Sequence, residues 1–123
     1  MEKILFVDND IHFAQNVMKY FEQNGIPHVF ETDGLNALNI VRNNKPAVVI
    51  ADRELPNLDG LSLCKFIKLD EELAETKFLL LTSSGKDDLH FESENQLDAA
   101  IEKPIAPQDL VSELIKVLQT TES

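Results

Sequence analysis

The stretch VVIADRELPNLDG, Val48–Gly60, decides the fold. It starts as a run of small and β-branched apolar residues, the composition of a strand buried on both faces. The run ends in a carboxylate, Asp52, and a Pro56…Asp59-Gly60 turn stands behind it. A buried strand that delivers an aspartate to its tip, with a turn built to close over it, calls for a polar site at that tip.

Working outward, the same kind of run recurs at KILFV (Lys3–Val7), PHVFE (Pro27–Glu31), FLLLT (Phe78–Thr82) and, weakly, AAIE (Ala99–Glu102). Helical periodicity lies between them. Ala14, Val17, Met18 and Phe21 share one face, with Gly25 as the stop. Ala37, Leu38 and Val41 share another, opened by Thr32 or Asp33 as a cap. Leu63, Cys64 and Ile67 mark a third helix. Leu110, Val111, Leu114, Ile115 and Leu118 mark the inward face of a last helix that Pro107 begins. Segment 86–98 has only Leu89, Phe91 and Leu97 as sizeable apolar residues, on no single face, and is expected to be a short, irregular or mobile helix. Alternating strands and helices predict an α/β fold: a single doubly wound, flavodoxin-like, five-stranded parallel sheet in order 2-1-3-4-5, occupying residues 1–123 as one domain.

Ligands of such sheets bind beyond the carboxyl ends of the strands. The first run ends in Asp8-Asn9-Asp10, the third in Asp52, the fourth in Thr82-Ser83-Ser84 and the fifth in Lys103-Pro104. Carboxylates on one side suit Mg²⁺, a hard cation that takes oxygen ligands. A hydroxyl and an ammonium on the other side suit phosphoryl oxygens. Together they make a phosphoryl-transfer site with Asp52 as the nucleophile. Asp10 reads equally as the cap of the first helix.

With 43% apolar and 27% charged residues the chain is ordinary globular material. Its charge of −11 and only two, isolated arginines (Arg42 and Arg53) exclude unaided nucleic-acid binding. No apolar run nears the roughly 18 residues that span a bilayer, and the acidic start, MEKILFVDND, is unlike a signal peptide. A lone cysteine, Cys64, forms no internal disulfide and fits a reducing cytoplasm. His12, His28 and His90 are scattered and read as bystanders.

The ordered set ILFVDND, ADRELPNLDG, LLLTSS and EKP resembles the receiver domain of the response-regulator family, and is similar to the single-domain chemotaxis receiver. The intervals agree: 44 residues from Asp8 to Asp52, 30 from Asp52 to Thr82 and 21 from Thr82 to Lys103. The resemblance implies a two-component signalling domain rather than an enzyme. Asp52 matches the phospho-acceptor, Thr82 and Lys103 the phosphoryl-binding pair, and Asp8 and Asn9 the acidic pair that holds Mg²⁺ with Asp52. Glu54 matches the position whose backbone carbonyl is a metal ligand, and Pro56, Asp59 and Gly60 the closing turn. A cis peptide is expected before Pro104. A sensor histidine kinase or phosphotransfer protein is the expected donor and an unidentified protein the target, in the cytoplasm, with the last helix a candidate dimer surface. Asn9 departs from the usual carboxylate, so the implied Mg²⁺ site is expected to be weak. Arg53 stands where an apolar residue is usual, and Ala100 where the family's switch aromatic belongs. Two other readings compete. One is a receiver fold acting as a phosphorylation-independent interaction module. The other is a haloacid-dehalogenase-like phosphatase with Asp8 as nucleophile and Asp10 as acid/base. No effector domain follows the last helix in this sequence, which fits either a stand-alone regulator or a piece of a longer protein.

Overall fold

The apolar runs form five strands in the computed structural model, which describes residues 3–83 and 96–119. They are β1 (Ile4–Val7), β2 (His28–Glu31), β3 (Val48–Asp52), β4 (Lys77–Thr82) and β5 (Ala99–Glu102). Helices α1 (Ile11–Gln23), α2 (Gly34–Asn44) and α3 (Gly60–Leu69) follow the first three strands, and α4 (Pro107–Gln119) follows β5. Every strand pairing is parallel, in the order β2-β1-β3-β4-β5. The expectation for segment 86–98 falls mainly on residues outside the described ones; Gln96 to Asp98 lead into β5.

Alternate residues of each strand feed opposite faces of the sheet. Leu5, Val7, Val49, Ala51 and Leu80 pack with Leu38 and Val41 of α2 and Leu63 and Ile67 of α3. Ile4, Phe6, Ile50, Leu79 and Leu81 pack with Val17 and Phe21 of α1 and Leu110 and Leu114 of α4. Each fully buried Phe or Leu contributes roughly 1.5–3 kcal/mol, which makes the two-sided burial of β1, β3 and β4 the main force fixing the sheet.

Aspartates start three helices. Asp10, Asp33 and Asp59 each accept from the backbone N–H three residues on, at Phe13, Asn36 and Ser62. Of the two cap candidates for α2, the structure selects Asp33. After α1 the chain turns through Gly25 at φ +65°, a conformation that costs glycine little. One face needs correcting. In α4 the buried stripe is Leu110, Leu114 and Val117, while Ile115 is 43% exposed. A residue next in sequence to Leu114 lies about 100° round the helix, so Ile115 leaves the stripe that Val117 joins.

The lower rim is fastened by Asp98. Its Oδ2 accepts from the Phe78 N–H at 2.8 Å and from Lys68 Nζ at 3.2 Å, while Lys77 Nζ lies 3.7 Å from Oδ1. Cys64 is buried, and that burial pushes its thiol up to about 12.

Candidate functional site

The strand register carries the site residues to the upper rim. Val7 lies opposite Ala51, Asp52 opposite Leu81, and Thr82 opposite Glu102. Asp8, Asp52, Thr82 and Lys103 therefore leave the sheet at neighbouring points of one edge. Lys103 closes the group. Its Nζ lies 3.1 Å and 3.3 Å from the two Asp8 oxygens and 3.3 Å from Asp52 Oδ2. The Phe13 ring lies under the same ammonium, 4.5 Å from Nζ to the centroid. Sequence reasoning did not find Phe13, because its place follows from α1 packing beside α4 on one face of the sheet. The Lys103–Pro104 bond is cis, as the resemblance implied, and the Lys103 N–H donates to the Thr82 carbonyl at 2.8 Å.

Asp8 is fully buried, and Thr82 is 2% exposed. Asp10 is the α1 cap, and its own N–H donates to Asp8 Oδ1 at 2.8 Å. Asn9 stands exposed between them. The turn after β3 folds back on its strand: the Gly60 N–H donates to the Arg53 carbonyl at 2.8 Å. A Cβ at Gly60 would lie 2.3 Å from the Asp52 carbonyl oxygen, so only glycine fits there. The Glu54 N–H donates to Asp52 Oδ1 at 3.3 Å.

Two carboxylates thus face one ammonium in a shielded place. Burial raises the Asp8 carboxyl to about 6; the Asp10 N–H opposes the rise, the Asp52 charge adds to it, and Lys103 opposes it. For Lys103 burial disfavours the charge, but Asp8 and Asp52 outweigh it and raise its pKa above the ordinary lysine value. A cation brought to the rim would favour the charged form of the buried Asp8 carboxylate. The Asp8 and Asp52 carboxylates offer oxygen donors around one ammonium, and Asn9 and Glu54 follow them closely in the chain. Such oxygen donors fit a hard divalent ion such as Mg²⁺.

A sequence model of the response regulator receiver domain matches residues 4–115, and the chain belongs to that family. It is similar to the phosphate regulon transcriptional regulatory protein PhoB of Pseudomonas aeruginosa, 28% identical over 119 residues, covering 96% of this chain and 52% of that protein. It is similar also to the response regulator MprA of a Mycobacterium species, 29% identical over 123 residues, covering 97% of this chain and 51% of the relative. The chain spans about half the length of these curated relatives. Among solved structures, the receiver domain of the Francisella response regulator 1452 superposes with a TM-score of 0.88 at 26% identity, over 98% of this chain and 99% of that one. The chain is therefore a receiver domain of the two-component response-regulator type, a signalling domain. This corrects the phosphatase reading, in which Asp8 was the nucleophile. The Asp8 side chain is closed off from solvent, whereas that of Asp52 keeps 12% of its surface open.

Proposed function

We propose that the domain, residues 1–123, accepts a phosphoryl group on Asp52 and thereby changes its affinity for a downstream protein. The observation that carries this reading is the single Lys103 ammonium set between Asp8 and Asp52. An Asp52 carboxylate oxygen attacks phosphorus. The bond from phosphorus to the donor's imidazole nitrogen breaks, and that nitrogen takes up a proton from water. The product is an acyl phosphate. The Thr82 hydroxyl and the Lys103 ammonium bind the transferred oxygens. Asp8, Asn9, Asp52 and the Glu54 carbonyl would hold Mg²⁺, which supplies charge neutralisation at the phosphoryl group.

A sensor histidine kinase or a phosphotransfer protein would be the donor, in the cytoplasm. Among the described residues no helix is long and apolar enough to cross a membrane. Self-association through α4 would rest on exposed Ile115. Ala100 is half-buried opposite Leu80, so switching would use backbone or neighbouring side chains instead of a ring at that position. The interaction-module reading is not favoured, because all four residues needed for transfer, Asp8, Asp52, Thr82 and Lys103, meet at one rim.

Beryllofluoride, a phosphoryl mimic, tests the reading. In the presence of Mg²⁺ it should shift the amide resonances of Asp52, Thr82 and Lys103 together. Shifts elsewhere only, or none, would overturn it.

A further inference from the structure

The Glu54 carbonyl is a backbone atom, so no rotamer can aim it. Only the path of loop 53–59 can. Mg²⁺ demands near-ideal octahedral geometry at about 2.0–2.1 Å, so the holding of that loop matters to the site.

The loop is held at two places. Its end packs tightly, through Gly60, on the Asp52 backbone. Its middle is docked on the start of α2. The Gly34 N–H donates to the Pro56 carbonyl at 3.0 Å, and a Cβ at Gly34 would lie 1.7 Å from the Leu58 carbonyl oxygen. Asn57 stands at φ +69°, a conformation asparagine tolerates better than most residues. From there its Nδ2 donates to Asp33 Oδ2, while Asp33 Oδ1 caps α2 by accepting from the Asn36 N–H at 2.9 Å. Asp33 is itself anchored toward the site. Glu31 Oε2 accepts from the Thr32 and Asp33 N–H groups at 2.9 and 3.0 Å, and the Glu31 carbonyl accepts from the Asp8 N–H at 3.1 Å. A continuous set of bonds therefore joins the Asp8 backbone to the loop that carries Glu54.

We infer that Asp33 and Asn57 form a latch that positions the Glu54 carbonyl for the metal. Neither residue touches the reacting atoms; both are positioning residues. The inference rests on the proposal that Glu54 is a metal ligand. Both side chains lie at the surface, so a merely structural pair there would contribute little to stability. A positioning pair should act on Mg²⁺ affinity instead.

The test is calorimetric titration with Mg²⁺ of the wild type and three variants, with a thermal melt of each. Asn57→Gly keeps the positive φ and removes the donor. Asp33→Asn keeps the cap and removes the second acceptor. The double exchange Asp33→Asn/Asn57→Asp rebuilds the pair with its polarity reversed. Each single variant should bind Mg²⁺ about threefold to tenfold more weakly, the equivalent of one net hydrogen bond. The double exchange should recover most of the loss, with melting points close to wild type throughout. Equal Mg²⁺ affinity in all four proteins, or no recovery in the double exchange, overturns the latch alone. A wild type that takes up no Mg²⁺ overturns the metal reading and the latch together.

Discussion

The Lys103 ammonium meets the fully buried Asp8 carboxylate at 3.1 Å, and the same nitrogen also serves Asp52 at 3.3 Å. Among the described residues, one positive charge thus serves two carboxylates at this rim. Metal uptake and phosphoryl binding would both draw on that imbalance.

The burial of Asp8 sets an acid response. Folded, Asp8 holds its proton up to about pH 6; unfolded, only to the ordinary value of 3.8. Between those values the folded chain binds more protons, so acidification through the window stabilises it and raising the pH loses that stability. The ceiling is on the order of 3 kcal/mol. In Mg²⁺-free urea titrations at pH 4.5 and 7, wild type should gain more stability toward acid than Asp8→Asn. Parallel pH slopes for the two proteins would remove Asp8 as the cause.

In the proposed Mg²⁺ site Asn9 would supply one amide oxygen where a carboxylate would add a charge. Asn9→Asp should tighten Mg²⁺ binding by about tenfold, or ~1.4 kcal/mol, because charge offsets the ion's dehydration. Unchanged affinity would mean that Asn9 does not reach the metal.

At the opposite rim, Asp98→Ala strips the buried Phe78 N–H of its acceptor and Lys68 of its counterion. A loss of roughly 2–4 kcal/mol is expected on urea unfolding, since an unsatisfied buried donor costs more than a lost surface pair. A loss below about 0.5 kcal/mol, the range of an ordinary surface change, would show that water replaces the carboxylate.

The tips of β1, β3 and β4 were legible in the sequence because burial on both faces writes itself as continuous apolar runs, which lead to Asp8, Asp52 and Thr82. The sheet order followed from connection rules. Side-chain neighbours across the fold were not legible. Phe13 lies under Lys103 only after α1 has packed, and Asn57 meets Asp33 only through a positive φ and a loop folded onto a distant helix start. The asparagine in LPNLDG was the available signal, since it readily takes that conformation. Ile115 misled because the apolar pattern of α4 is wider than its buried stripe.

The central claim is that Asp52 is the residue that carries phosphate. Incubating the protein with acetyl phosphate and Mg²⁺, trapping the acyl phosphate by borohydride reduction and mapping the reduced residue by mass spectrometry tests it directly. Label is expected on Asp52, none on Asp8, and none at all in Asp52→Asn. Label on Asp8, or persistent label in Asp52→Asn, would contradict it.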